Sequence, residues 1–155
     1  MSHNNEHQFA VTLKWTGNRG TGTSTYRDYG REHEITVAGK SMAIPASSTP
    51  IFRGNKERYN PEELLIGALS GCHMLWFLHL CAQAGIVVKA YDDDARGTMD
   101  LNADGSGQFS DVVLHPRVEY EQTPPREQIE ALHHRAHELC FIARSVNFPV
   151  RCEPV

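Results

Sequence analysis

Alternating and helical patterns of apolar residues divide the chain into strands and two helices. Phe9, Val11, Leu13 and Trp15 alternate with polar residues, which is the period of a half-buried strand. Further strands are predicted over 21–27, 34–37, 87–101, 108–121 and 146–152, with a loop over 43–59. Residues 102–107 form a turn between two of these strands, so we expect a β-hairpin there.

Two helices are predicted from capping residues and spacing. Asn60, Pro61 and Glu63 have the order of a side-chain cap, a proline at the first helical position and an acid three residues after the cap. This helix should end near residue 84, where Gly85 supplies a left-handed stop. Between 64 and 81 it is apolar on every side, which indicates burial in a core, since its polar histidines argue against a membrane span. The second helix follows Pro125.

Composition limits the class of protein. The 155 residues suit one domain with a core of its own, and the net charge of −4 is spread without blocks, which predicts no nucleic-acid partner. Residues 1–8 are polar and lack a secretion signal, so we expect a flexible arm and a cytoplasmic protein without a membrane partner. Four cysteines without a CxxC pair are not structural cross-links in such a compartment, which leaves redox chemistry or core packing.

Helix geometry separates the cysteines. Cys72 and Cys81 are nine residues apart, on opposite faces and roughly 13 Å apart along the axis, too far for a disulfide. Cys81 is expected in the core, and so is Cys152, which alternates with apolar residues of the last strand. Cys140 ends the apolar stripe of the second helix and is the natural partner of Cys72. Two unrelated buried cysteines remain the alternative.

The run NPEELLIGALSGC at 60–72 resembles the central-helix signature of the OsmC/Ohr family, named for osmotically inducible protein C and organic hydroperoxide resistance protein. AHELC at 136–140 is similar to the second-cysteine motif of that family. The resemblance covers nearly the whole chain, 1–155, as one OsmC-like domain. It implies an α+β fold with a three-stranded meander, a long buried central helix, a hairpin, a second helix and a final strand, in an intertwined homodimer.

The resemblance also implies a cysteine-based peroxidase that reduces organic hydroperoxides to alcohols without a cofactor or a bound metal. Cys72 matches the peroxidatic cysteine and Cys140 the resolving cysteine, which would form a disulfide with each other. Glu62 matches the family glutamate, and Arg19 is the closest match to the activating arginine, with Arg27 in competition. A dithiol, in this family a dihydrolipoyl protein, would be the reductant.

Substrate-binding residues are expected beside Cys72, at Leu69, His73, Trp76 and Phe77. His73 follows the first cysteine where phenylalanine is common in the family. Glu62 and Cys72 are about 15 Å apart in helical rise, beyond the reach of a glutamate side chain. If both serve one site, they come from different subunits, so the mechanism requires a homodimer.

A second class of function is a non-catalytic OsmC-like protein that binds an apolar small molecule or a metal ion. His73 and the second-helix residues His133, His134 and His137 offer nitrogen donors, and His133 and His137 are spaced to share an ion. No cysteine or carboxylate completes a recognisable zinc spacing. The sequence therefore predicts no metal ligands.

Overall fold

The computed structural model describes residues 5–155 and has an α+β fold, as the sequence predicts. Its main elements are β1 (Thr12–Trp15), β2 (His33–Thr36), β3 (Ile44–Ala46), α1 (Pro61–Gln83), β4 (Val88–Asp93), β5 (Arg96–Leu101), β6 (Gly107–Leu114), β7 (Pro116–Tyr120), α2 (Arg126–Leu139) and β8 (Val150–Cys152). Half of the predicted N-terminal arm, residues 1–4, lies outside the described residues. The chain divides into two compact units, one ending at Leu64 and the other comprising Leu65–Val155, so a single domain stays a prediction.

The first unit contains an antiparallel sheet in the order β1-β2-β3. β1 and β2 lie within or beside the predicted segments, whereas β3 falls in the segment predicted as a loop. Pro45 obscured β3 in the sequence because proline lacks the N–H that a strand interior needs. It is accommodated here because β3 is an edge strand of the sheet.

The predicted strand over 21–27 is wrong, because this segment folds into consecutive turns. The Asn18 side-chain oxygen accepts hydrogen bonds from the backbone N–H groups of Gly20 and Gly22, at 2.9 and 3.0 Å. Such local bonds compete with strand pairing and favour turns. The ends of the loop meet where Gly30 donates to the Gly17 carbonyl, and a Cβ at Gly17 would lie 2.1 Å from the Gly30 oxygen.

The start of α1 forms the predicted capping box. The Glu63 N–H donates to the Asn60 side-chain oxygen at 2.9 Å, and the Asn60 N–H donates to the Glu63 carboxylate at 3.2 Å. These reciprocal bonds satisfy backbone donors that a helix start leaves unpaired. The helix ends at Gln83, close to the predicted residue 84, and Gly85 has the expected positive φ of 70°.

In the second unit, α1 buries one stripe rather than its whole circumference. Leu69, His73, Phe77 and Cys81 are buried, at the spacing of four residues that places side chains on one face. On another face Leu75 is 65% exposed. The sequence predicted that α1 is buried on every side, and this prediction is not met within the described chain. The strands of the second unit and α2 cover only one side of the helix.

Two strands predicted over 87–101 and 108–121 are each broken once. β5 and β6 form the predicted hairpin, β6 also pairs in parallel with β8, and β4 pairs with β7 in a separate two-stranded sheet. The breaks coincide at Asp94–Ala95 and His115, where the Asp93 carboxylate accepts the His115 N–H at 2.7 Å. Pro116 adds to the break because it has no N–H to donate.

Two apolar clusters pack along the buried stripe of α1. Leu69 packs with Phe109, Val112, Leu114 and Val150 from β6 and β8. Phe77 and Cys81 pack with Ala136 of α2, so the prediction that Cys81 is a core residue agrees with the structure. His73 lies on the stripe between these two clusters.

Candidate functional site

Cys72 and Cys140 are brought together from α1 and the end of α2. Cys72 is half-buried on α1, and Cys140 is buried directly after the last residue of α2. Burial raises the pKa of the Cys140 thiol to about 11, and a hydrogen bond with the Cys72 side chain raises it further in the same direction. The Ala143 N–H also donates to the Cys140 sulfur at 3.4 Å. The two thiols are thus neighbours, and both are free.

An apolar cavity of about 620 Å³ opens beside Cys72. Its lining residues are Ala68, Gly71, Cys72, Leu75, Trp76, His79 and Phe141. The Trp76 and Phe141 rings meet edge to face with centroids 5.7 Å apart, so they fix one wall. A Cβ added at Gly71 would meet nothing within 4 Å, and the missing side chain leaves the floor of the cavity open next to the thiol.

Three of the four residues that the sequence predicted to bind substrate do not line this cavity. Leu69, His73 and Phe77 belong to the buried stripe of α1 and pack into the core, whereas Trp76 lines the cavity. The sequence could not separate them because α1 is apolar around its circumference. The stripe that faces the core becomes visible only when the strands packed on it are known. His79 and Phe141 are cavity residues that the sequence did not single out.

In the first unit, Glu62 lines a second cavity of about 330 Å³. One oxygen of its carboxylate is buried and has no hydrogen-bond partner among residues 5–155. Arg31 lines the same cavity, whereas Arg19 and Arg27, the arginines that the sequence favoured, are exposed side chains of the 17–30 loop. The structure therefore adds Arg31 to the candidate arginines.

Arg31 is held rigidly for an arginine. Its guanidinium lies 3.9 Å from the centroid of the Tyr29 ring and 4.4 Å from that of Tyr26, and it donates to the backbone carbonyls of both tyrosines. Stacking on aromatic rings fixes the planar group and keeps it charged. The feature of the sequence that could have indicated Arg31 is the pair of tyrosines, Tyr26 and Tyr29, that precede it and can stack on its guanidinium.

A third cluster, made of His73, His133 and Cys152, joins α1, α2 and β8. Nε2 of His73 lies 3.0 Å from Nδ1 of His133, and the Cys152 sulfur lies 3.5 and 3.6 Å from these two nitrogens. Burial lowers the pKa of each histidine to about 4, and burial raises the pKa of Cys152 to about 12. The sequence expectation that Cys152 is plain core is incomplete, because its thiol is half-buried against two imidazoles.

Comparison with known proteins agrees with this architecture. Residues 54–154 match the model of the OsmC-like protein family. The chain belongs to the OsmC family. An OsmC-like protein of Vibrio cholerae, VCA0330, has a TM-score of 0.87 and 33% identity over 97% of this chain and 100% of its own. The OsmC/Ohr resemblance read from the sequence is therefore confirmed.

Similarity extends to a more distant solved structure and to a relative known by sequence. The organic hydroperoxide resistance protein OhrB of Bacillus subtilis is 18% identical with a TM-score of 0.65, covering 95% of this chain and 98% of its own. The protein YmaD of Bacillus subtilis (strain 168) is 20% identical over 91% of this chain and 87% of its own length. In length and composition α1 could cross a membrane, and the OsmC fold accounts for it as the core helix of a soluble protein.

Proposed function

We propose that this protein is a two-cysteine peroxidase that reduces organic hydroperoxides to alcohols. The observation that carries the proposal is the Cys72 thiol in the wall of an apolar cavity, next to the buried thiol of Cys140. A neighbouring pair of thiols, one of them open to a ligand cavity, is the arrangement that sulfenic acid formation and resolution need. Family membership and the hydroperoxide-resistance names of structural relatives support the same chemistry.

The reaction has two chemical steps. The Cys72 thiolate attacks the distal oxygen of the hydroperoxide, the O–O bond breaks, and the alkoxide leaves as an alcohol after taking up a proton. Cys72 is then a sulfenic acid. The Cys140 sulfur attacks the Cys72 sulfur and water leaves, which forms a disulfide between the two cysteines.

The catalytic cation is proposed to come from the first unit of a partner subunit. An ordinary thiol near pKa 8.5 is only about 3% ionised at pH 7, so a nucleophilic cysteine needs a positive neighbour. Arg19 and Arg27 are proposed from the family pattern, and Arg31 from its place in the cavity that Glu62 lines. Glu62 would orient the guanidinium by accepting its hydrogen bonds. Because ten residues of helix separate Glu62 from Cys72, one site would use both subunits of a homodimer.

The cavity beside Cys72 favours substrates with an apolar body. Trp76 and Phe141 offer aromatic surface, and burial of each substrate CH₂ contributes about 0.8 kcal/mol. Hydrogen peroxide gains nothing from such a surface. We therefore expect preference for alkyl and aryl hydroperoxides.

Reduction of the disulfide requires a dithiol from the cytoplasm, and family kinship points to a dihydrolipoyl protein. One thiol of the reductant attacks the Cys72 sulfur and displaces the Cys140 thiolate, which leaves a mixed disulfide with Cys72. The second thiol of the reductant attacks its own partner sulfur and releases Cys72, so the reductant leaves as a disulfide and both protein thiols are regenerated. The partly open Cys72 sulfur is the accessible target, because Cys140 is buried. A lipoyl arm is narrow enough to reach the Cys72 sulfur through this opening.

Steady-state kinetics test the proposal. With a dithiol donor, we expect turnover of cumene hydroperoxide at a higher kcat/KM than hydrogen peroxide. Cys72→Ser should lose on the order of 10³-fold or more in kcat/KM, because the nucleophile is gone. Cys81→Ala is the matched control, since Cys81 is buried away from the cavity and should leave turnover intact.

Two outcomes decide against the proposal. Full activity in Cys72→Ser would remove Cys72 as the nucleophile. The folded wild-type protein could instead bind cumyl alcohol in the cavity and turn over no hydroperoxide. That result would favour the alternative, a non-catalytic carrier of an apolar molecule.

A further inference from the structure

The third cluster lies outside the proposed peroxidase site. Its donor atoms come from three elements that are far apart in the chain: His73 from α1, His133 from α2 and Cys152 from β8. Both histidines are buried, at 1% and 4% exposure, and Cys152 is half-buried. Three convergent donors fixed by a packed core form a pre-organised arrangement.

We propose that Nε2 of His73, Nδ1 of His133 and Sγ of Cys152 bind a divalent transition-metal ion of the zinc class. Imidazole nitrogen and thiolate sulfur are the donors that zinc prefers, and a site with three protein ligands leaves a fourth position open.

The spacing of the donors fits such an ion. With bonds of about 2.0–2.1 Å to nitrogen and about 2.3 Å to sulfur, tetrahedral zinc separates two nitrogens by about 3.4 Å and a nitrogen from a sulfur by about 3.6 Å. The cluster has 3.0 Å between the nitrogens and 3.5 and 3.6 Å from each nitrogen to the sulfur. An increase of a few tenths of an ångström in the distance between the two nitrogens would bring them to the zinc spacing.

The charges around the cluster favour a cation. Burial keeps both imidazoles neutral, because it lowers the pKa of each to about 4, so their lone pairs are available to a metal. Negative charge from Asp93 acts on both His73 and Cys152. This carboxylate and the thiolate would offset the charge of a buried dication, which is otherwise costly.

Binding has a simple proton balance. The Cys152 thiol gives up its proton to the solvent as the sulfur–metal bond forms, and the two neutral histidines release none. No oxidation accompanies the step. One proton is therefore released for each ion bound at a pH where the free thiol is protonated.

The site has a path to solvent. A cavity of about 220 Å³ reaches Cys152 and His133, and its wall includes His134 and His137. His137 follows His133 by one helical turn, on the same face of α2. The cavity gives an ion a route from the surface to two of the three donors. Once bound, it would hold α1, α2 and β8 together.

Cobalt substitution provides the test. The full-length protein, freed of any affinity tag and treated with a chelator, is titrated anaerobically with Co²⁺ and then with Zn²⁺. We expect one ion per chain, a thiolate-to-cobalt charge-transfer band that Zn²⁺ abolishes, and a melting temperature that rises with Zn²⁺ concentration. Cys152→Ser should lose the charge-transfer band, and His133→Gln should weaken binding by about 100-fold or more.

Matched controls distinguish this cluster from its neighbours. Cys72→Ser changes the residue next to His73, and His134→Gln changes the residue next to His133, but neither belongs to the cluster, so both should keep the band. The N-terminal His3 and His7 offer no thiolate and cannot produce it.

The test does not depend on the folding of a variant, because the alkylation rate of Cys152 can be measured in the wild-type protein. Zn²⁺ should slow alkylation of Cys152 in the wild type by about 100-fold while the rate at Cys72 stays unchanged. Alkylation of Cys152 at the same rate with and without Zn²⁺ would overturn the proposal and leave a hydrogen-bonded pair of histidines. An unaltered charge-transfer band in folded Cys152→Ser would overturn it equally. Neither result depends on peroxidase activity.

Discussion

At the residue scale, four cysteines with the same chemistry have four different surroundings. Cys72 borders the apolar cavity, whereas burial raises the pKa values of Cys81 and Cys140 to about 11 and that of Cys152 to about 12. Burial has this effect because a thiolate loses hydration inside a protein. At neutral pH and without a bound metal these three thiols stay protonated, and Cys72 is the cysteine that lines the apolar cavity between Trp76 and Gly71.

Motifs predicted the residues of the peroxidase proposal better than those of the metal proposal. Cys72, Cys140 and Glu62 are each embedded in a local run of characteristic residues. His73, His133 and Cys152 lie in three separate segments, and their proximity results from the packing of α1, α2 and β8. Spacing along a sequence cannot reveal such a cluster.

Arg31 provides a prediction at the same scale. Because Arg31 lines the same cavity as Glu62, we expect Arg31→Ala to lower kcat/KM for cumene hydroperoxide by about 100-fold, the usual loss of one charge-stabilising donor. Arg27→Ala tests the competing candidate, an exposed arginine of the segment between β1 and β2, and should leave turnover nearly unchanged if Arg31 is the cation. A larger loss in Arg19→Ala, with Arg31→Ala unimpaired, would return the role to Arg19.

At the element scale, helix boundaries followed from sequence and strand boundaries did not. The cap of α1 depends on residues three apart, which the sequence displays directly. The break between β4 and β5 depends on a bond from the Asp93 carboxylate to the N–H of His115, 22 residues away. The loop around Gly22 resembles a strand in composition but satisfies its backbone through Asn18.

The capping box can be measured by stability. Asn60→Ala removes the acceptor for the Glu63 N–H and should lower the free energy of unfolding by about 1 kcal/mol. Glu63→Gln, whose amide can still accept from the Asn60 N–H, should cost clearly less. Chemical denaturation with equal m-values gives both numbers. Equal losses in the two variants would contradict a reciprocal cap.

At the scale of the whole molecule, the family motif predicted the architecture that periodicity alone left incomplete. The order of meander, long helix, hairpin, second helix and final strand is present, whereas the parallel pairing of β8 with β6 joins segments that no local pattern relates. The uncovered face of α1 carries Leu75 and the bare backbone of Gly67, which allows a close approach of a second helix.

The proposed homodimer can be tested at that face. We expect the wild type to sediment as a dimer and Leu75→Glu to sediment as a folded monomer, because a charge buried between apolar helices is costly. Leu101→Glu serves as the control, since Leu101 is 52% exposed at the end of β5. Analytical ultracentrifugation reads both. A monomeric wild type at micromolar concentration, or a dimeric Leu75→Glu, would contradict the interface.

The pairing of Cys72 with Cys140 is the claim on which the peroxidase account depends. It is measured by peptide mass spectrometry after one equivalent of cumene hydroperoxide is added to the reduced protein and the remaining thiols are alkylated. The account predicts a disulfide between these two cysteines, and in Cys140→Ser a sulfenic acid at Cys72 that dimedone traps. Free thiols at both positions, or a disulfide that joins Cys72 to a different cysteine, would contradict it.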